Sequence, residues 1–119
     1  MKVDCVRNGY GMSEIVGAGI VPPPDSAADI MRKGSVGVVM PGIQVCIRNP
    51  DTGSLLGAGE EGEIMFKSET VMKGYLGDAG STAATVDGDG WLHSGRLQSR
   101  IHFYPCSRTK KSQIACFSV

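Results

Sequence analysis

The chain has 119 residues, 41% of them hydrophobic, and twelve basic side chains balance twelve acidic ones to a formal charge of zero. That length fits one small domain, and no apolar run approaches the ~20 residues that a membrane-spanning helix needs. Seventeen glycines, about twice the usual share, imply short strands joined by many turns rather than long helices.

In chain order, Val3–Arg7 reads as a short strand leading into a turn at Asn8, and Met1–Asp4 lacks the apolar core of a signal peptide. Ile15–Val21 is small and apolar and predicts a buried strand or pocket wall. Pro22-Pro23-Pro24 forbids regular hydrogen-bonded structure, so Pro22–Lys33 is expected as a surface loop, with one helical turn over Ala27–Arg32. Gly34–Gly37 and Pro41-Gly42 read as turns around an apolar step at Val38–Met40. Between Ile43 and Arg48 apolar and polar residues alternate, the period of a half-buried strand. Asn49-Pro50-Asp51-Thr52-Gly53 is a strong turn signal, and Leu55-Leu56 is expected to begin the return strand of a hairpin.

Gly57–Gly62 reads as a loop and Glu63–Lys67 as a strand, with Val71–Tyr75 a strand end or turn. The glycines of that loop do not form a phosphate loop, because no Gly-Lys-Ser/Thr follows them. Ser81–Val86 is the best short-helix candidate, and Asp87–Gly90 reads as a hairpin turn before Trp91-Leu92. Asp87-Gly88-Asp89-Gly90 also looks like the start of a calcium loop, but the carboxylate expected near its end is absent. Short strands at roughly even spacing predict a β-rich unit.

Charge and cysteine usage narrow the partners. Residues 1–95 hold seven Lys/Arg against all twelve Asp/Glu, whereas residues 96–119 hold five Lys/Arg and no acid. A basic tail can mark a nucleic-acid or membrane contact. This one has neither interleaved aromatics nor an amphipathic period, so no nucleic-acid partner is expected. Cys5, Cys46, Cys106 and Cys116 are widely spaced and only two histidines are present, which argues against a zinc site and for reduced thiols.

The stretch richest in chemistry is Asn8-Gly9-Tyr10-Gly11-Met12-Ser13-Glu14. Tyr10, between two glycines, can offer a flat face to a planar ring. Ser13 suits a phosphate oxygen, and Glu14 is a hard oxygen ligand suited to Mg²⁺. On chemistry alone, a nucleotide site and a tight glycine-rich turn between two strands are equally good readings.

The stretch resembles the Gly-Tyr-Gly-(Met/Leu)-(Thr/Ser)-Glu motif of the AMP-forming adenylating superfamily, which includes acyl-CoA synthetases, 4-coumarate-CoA ligases and luciferases. Further motifs of that family follow in its order. Gly34-Ser35-Val36-Gly37 with Pro41-Gly42 resembles its Pro-Gly-Ser-x-Gly…Pro-Gly stretch, with Lys33 where a proline often sits. Gly62-Glu63-Ile64 with Val71-Met72-Lys73-Gly74-Tyr75 resembles its Gly-Glu-(Leu/Ile)…Gly-Tyr signature, read here as scaffold. Asp89-Gly90-Trp91-Leu92-His93-Ser94-Gly95 resembles its Asp/Glu-Gly-Trp-Leu-His-Thr/Ser-Gly segment.

The resemblance implies an α+β, β-rich fold, a distorted barrel-like subdomain of the family's large N-terminal domain followed by an irregular C-terminal tail. It divides the chain into a partial AMP-binding domain at 1–95 and a divergent basic tail at 96–119 that looks like a degraded hinge region. Asn8, Gly9, Tyr10, Gly11, Met12 and Ser13 would line the adenylate pocket, with Tyr10 stacked on adenine. Ser13 and Glu14 would be catalytic, Glu14 as the Mg²⁺ ligand, and Arg108 would match the hinge arginine. The implied cofactors are ATP/AMP, Mg²⁺ and coenzyme A. The implied reaction joins a carboxylic acid to AMP and then passes the acyl group to a thiol.

Two departures limit what the chain is expected to do. The family's ribose-binding Asp after Gly95 is replaced by Arg96, which cannot accept a hydrogen bond. Losing a charged, paired acceptor of that kind costs about 2–4 kcal/mol. The phosphate loop and the C-terminal catalytic lysine of the family match nothing in these 119 residues. The chain is therefore expected to be a fragment of an acyl-CoA ligase, inactive and self-associating alone; the alternative is a non-catalytic module that binds AMP or docks on a full-length relative. Gly17-Ala18-Gly19 is expected near the acyl pocket. An intracellular setting is expected, cytoplasmic or peroxisomal for the intact relative, although Cys116–Val119 is not a peroxisomal address.

Overall fold

In the computed structural model, which describes residues 8–22, 35–57, 59–98, 101–105 and 113–117, two antiparallel sheets meet on one apolar cluster. The first sheet contains β1 (Tyr10–Met12), β2 (Gly17–Val21), β3 (Ser35–Val39), β7 (Ile101–Pro105) and β8 (Gln113–Phe117), in the order β1-β2-β3-β8-β7. The second contains β4 (Gln44–Arg48), β5 (Gly62–Lys67) and β6 (Leu92–Gln98), in that order. The one described α-helix, α1 (Ala79–Thr85), lies between β5 and β6 in the chain. The described strands are thus two sheets, and they do not close into a barrel.

The alternating pattern of 43–48 folds as its period dictates. Gln44 is exposed, Val45 half-buried and Ile47 2% exposed, so the apolar face of β4 turns inward. β5 is covered on both faces: Ile64 and Phe66 join the core, and Met65 on the opposite face is 1% exposed. Ile15 and Ile20 of the first sheet's side pack on Ile47, Ile64, Phe66 and Leu92 of the second.

Several elements differ from the sequence-based expectation. Leu55-Leu56 does not form a return strand; Arg48 and Leu55 make an isolated bridge, and Leu56 N–H bonds to the Ile47 carbonyl at 2.9 Å. The full partner of β4 is β5, with five register pairs from Gln44↔Lys67 to Arg48↔Glu63. That longer ladder also satisfies the buried face, which two residues after a turn cannot do. Ile15 ends a 3₁₀ turn over Ser13–Ile15, so the apolar run 15–21 is split and β2 starts only at Gly17. Of the turn expected at 34–37, the described part, from Ser35 on, is strand: β3 runs through Gly37, whose added Cβ would lie 1.9 Å from the Val21 carbonyl oxygen. α1 starts two residues before the expected helix because Asp78 caps it, accepting from Ser81 N–H at 2.8 Å.

The C-terminal region, expected to be irregular, contributes β7 and β8. Pro105 cannot donate to a ladder, and it sits at the end of an edge strand, where none is needed. The strand expected at Val3–Arg7 and the loop and helical turn expected over 23–33 lie outside the described residues.

Because Phe66 is wholly buried between the sheets, Phe66→Ala is expected to cost about 3–5 kcal/mol in urea unfolding. Leu55→Ala, at a side chain 72% exposed, is expected to change stability by less than about 0.5 kcal/mol. Equal effects from the two would contradict this placement of the core.

Candidate functional site

The Asn8–Glu14 stretch folds as the edge of the first sheet and the turn that leaves it. Asn8 and Gly9 are exposed and lead into β1, where Tyr10 and Met12 point inward and Gly11 is exposed. Gly11 is required by backbone proximity: a Cβ there would lie 2.0 Å from the Gly17 carbonyl oxygen. The ring of Tyr10 stacks on Phe66, with centroids 5.8 Å apart and planes 15° from parallel. That contact holds the ring in one orientation, as a platform for a planar ligand requires. Met12 packs against the core, so its side chain belongs to the scaffold.

Ser13 opens the 3₁₀ turn, exposed, with its carbonyl accepting from Val16 N–H at 2.9 Å. Glu14 follows, half-buried, and is held twice. Its carbonyl accepts from Met72 N–H at 2.7 Å, and its Oε1 accepts from the Tyr75 hydroxyl at 2.8 Å. The bond to Glu14 is the main cause that pushes the Tyr75 phenol above its ordinary value; desolvation adds to it and the Thr85 hydroxyl opposes it. The turn closes at Val16, a β-branched residue at φ 59°. This conformation is uncommon for such a side chain and stores strain next to the motif.

Beyond Val16 lies an open cleft of about 810 Å³, bounded in part by Ile15, Val16, Ala18, Met40, Ile43 and Lys67. Tyr10, Ser13 and Glu14 do not line it, although Ile15 and Val16 join the two regions. The cleft also has polar walls, at Lys67, Ser68, Glu69 and Thr70. What distinguishes the motif is that an oriented aromatic ring, a hydroxyl and a carboxylate follow one another at Tyr10, Ser13 and Glu14. Ala18 borders the cleft as expected of a pocket wall, whereas Gly19 faces the core, where a Cβ would lie 2.8 Å from both Ile15 Cδ1 and Phe66 Cε1.

A second polar group sits on the other face of the β4-β5-β6 sheet. His93 places Nδ1 3.4 Å from Glu63 Oε2 and Nε2 3.3 Å from Asp87 Oδ2, and Arg48 Nη1 is 3.8 Å from the same Asp87 oxygen. Glu63 Oε1 also accepts from Gly95 N–H at 2.8 Å. Burial alone would raise the Asp87 carboxyl, but the N–H groups of Trp91 and Asp89 and the His93 ring outweigh it and hold Asp87 below the ordinary carboxylate value of 3.8. Burial pushes the neighbouring Cys46 thiol up, with Arg48 partly opposing.

Sequence reasoning did not assign Tyr75 or Phe66 to the site. In the sequence Tyr75 stood out only as the end of the Gly74-Tyr75 signature, read there as scaffold. Arg96 lies in β6, and Arg108 lies outside the described residues. Among the described residues no group of three or more His, Cys, Asp or Glu is arranged to hold a metal ion, and no helix is long and apolar enough to cross a membrane.

A profile of the AMP-binding enzyme family matches residues 2–76. The chain belongs to that family. Luciferin 4-monooxygenase of Photuris pensylvanica is 37% identical over 112 residues, covering 92% of this chain and 20% of its own length. The 4-coumarate-CoA ligase-like 6 protein of Oryza sativa subsp. japonica is 44% identical over 90 residues, covering 74% of this chain and 14% of its own length. Among solved structures, the luciferase-like enzyme from the nonluminescent mealworm Zophobas morio superposes with a TM-score of 0.66 at 29% identity, covering 93% of this chain and 25% of that one. This AMP-binding family member therefore spans a quarter or less of the length of these relatives. The matched range takes in Asn8–Glu14 and Tyr75, the two segments joined by the Glu14 contacts.

The Asp87 contacts set a pH dependence. A carboxyl whose folded value is depressed contributes stability above its unfolded value, and that stability is lost as pH falls through the folded value. Between pH 5 and 3 the wild-type melting temperature is therefore expected to fall more steeply than that of Asp87→Asn. Parallel pH profiles for the two proteins would contradict the role given to these contacts.

Proposed function

We propose that this chain is part of an ATP-dependent, AMP-forming acyl-CoA ligase. In that reaction a carboxylate attacks the α-phosphate of ATP to give an acyl-adenylate and pyrophosphate, and the thiol of coenzyme A then attacks the acyl carbon, forming the thioester as the acyl–phosphate bond breaks and AMP leaves. The observation that carries the reading is the order along β1 and the following turn: an aromatic ring braced on Phe66, a hydroxyl at Ser13 and a carboxylate at Glu14, within a segment that matches the AMP-binding family. Tyr10 would stack on adenine, with Asn8, Gly9, Gly11 and the main chain of Met12 forming that wall of the pocket, and Ser13 would donate to a phosphate oxygen.

Among the described residues Glu14 belongs to no group of three or more His, Cys, Asp or Glu, and a half-buried carboxylate of that kind fits Mg²⁺, which keeps most of its ligands as water and phosphate. When bound, the ion would neutralise phosphate charge; Glu14 would hold it. Adenylation is mainly positioning and charge neutralisation, and the residues that complete both in the family match nothing in this chain. Arg96 in place of the ribose Asp weakens nucleotide binding further, and Arg108 would belong to the hinge. On this reading residues 1–95 are the AMP-binding part and 96–119 the divergent tail. The chain alone is inactive and tends to self-associate through apolar side chains such as Val16 and Leu76, 77% and 105% exposed. An intracellular setting accords with the chemistry.

Calorimetric titration with AMP, together with an assay of pyrophosphate release from ATP and a panel of carboxylic acids, tests the proposal. Weak AMP binding is expected, reduced about 5- to 100-fold by Tyr10→Ala, the range that base–aromatic stacking gives, with no pyrophosphate release. AMP binding untouched by Tyr10→Ala would overturn the site. Binding without any role in a longer enzyme, shown by a reading frame confined to these residues, would favour the non-catalytic module.

A further inference from the structure

The segment Val71–Tyr75 has no regular secondary structure, yet it is fixed from several directions. Gly74 adopts φ 152°, and a Cβ there would lie 2.8 Å from Thr82 Cγ2. Tyr75 N–H donates to Thr82 Oγ1 at 2.9 Å, and that hydroxyl donates to the Asp78 carbonyl at 2.7 Å. Asp78 N–H returns to the Tyr75 carbonyl at 3.3 Å, while the Asp78 carboxylate caps α1 through Ser81 N–H and Ser81 Oγ at 2.8 and 2.7 Å. The backbone of Tyr75 is thus anchored to the first turn of α1.

From that anchor the phenol reaches a residue 61 positions earlier, donating to Glu14 Oε1 at 2.8 Å. Met72 N–H, three residues before Tyr75, bonds to the Glu14 carbonyl at 2.7 Å. One segment therefore fixes both the main chain and the carboxylate of Glu14. A free glutamate side chain would have to give up its rotamer freedom when a cation bound; here it is already ordered.

We propose that Tyr75 is the positioning residue for Glu14: its phenol claims Oε1 and leaves Oε2 as a single, monodentate anionic ligand for the cation that accompanies a nucleoside triphosphate. This rests on the reading of Glu14 as the metal carboxylate. With Oε1 engaged, bidentate chelation is disfavoured. Ca²⁺ commonly takes a carboxylate by both oxygens, whereas Mg²⁺ demands tight octahedral geometry and takes one or two carboxylates among water and phosphate ligands. The Tyr75–Glu14 bond is in this way a selector for Mg²⁺ over Ca²⁺. It also gives the Gly74-Tyr75 signature a chemical task beyond closing a turn.

The test uses the full chain, with ATP binding measured in Mg²⁺ and in Ca²⁺ and AMP binding measured without metal. Tyr75→Phe is expected to weaken Mg²⁺-ATP binding about three- to tenfold, to leave AMP binding within about twofold, and to narrow the preference for Mg²⁺ over Ca²⁺. In a Glu14→Gln background, Tyr75→Phe is expected to have no further effect. Equal losses for AMP and Mg²⁺-ATP, or an unchanged cation preference, would overturn the positioning role.

Chains labelled with ¹³C at the tyrosine Cζ read the contact without nucleotide. The Tyr75 resonance, identified by its absence in Tyr75→Phe, is expected to move in Glu14→Gln and to broaden with Mn²⁺-ATP. A resonance unmoved by Glu14→Gln, with nucleotide binding intact, overturns this inference alone. Absence of nucleotide binding with that movement intact overturns the nucleotide reading and the metal role with it, while the contact stands.

Discussion

Phe66 is the side chain on which both the fold and the site depend. It is wholly buried in β5, between the sheet that carries Tyr10 and the sheet that carries Leu92, and its ring is the surface on which Tyr10 stacks. Closer approach by the first sheet is blocked only by van der Waals contact, since even one added carbon at Gly19 would meet this ring at 2.8 Å. A packing contact inside the core thus sets the orientation of the aromatic ring that a planar ligand would meet. Apolar burial supplies the driving force, and the close-packed interior supplies the accuracy.

The second constraint is polar and acts over a long separation in the chain. Glu14 belongs to the first turn after β1, but its geometry is determined by Met72 and Tyr75, which are themselves tied to α1 through Thr82 and Asp78. The motif is therefore not a self-contained loop. Its aromatic end is braced by β5 and its acidic end by the segment before α1, while Val16, in a left-handed conformation, takes up the strain where the chain turns back into β2. The Arg48–Asp87–His93–Glu63 group plays a different part, tying β4, β5, β6 and the turn at Asp87 together on the far face of the second sheet.

How much of this was legible in the sequence depended on the range of the interaction involved. Local signals read well: the alternation at 43–48, the strand at 63–67 and the turn at Asp87–Gly90 all correspond to observed structure. Signals that required knowing a partner did not. Leu55-Leu56 looked like a return strand because a good turn preceded it, but the ladder went to β5, which buries more apolar surface. Gly37 looked like a turn residue, and in the fold it is the point where β3 passes close to the Val21 backbone. The Asn8–Glu14 motif was legible as a set of chemical groups and, through its resemblance, as a family signature. The Phe66 platform and the Tyr75 bond were not, since nothing local to Tyr10 or Glu14 names a residue 56 or 61 positions away.

A nucleotide that binds this chain has two surfaces open to it, the motif and the neighbouring cleft. The most direct measurement is the amide shift change across the ¹H–¹⁵N spectrum on addition of AMP. With Tyr10, Ser13 and Glu14 as the ligand groups, the changes are expected to centre on Gly9–Glu14. Changes confined to Met40–Gln44 and Ser68–Thr70, on the walls of the cleft, would contradict that assignment.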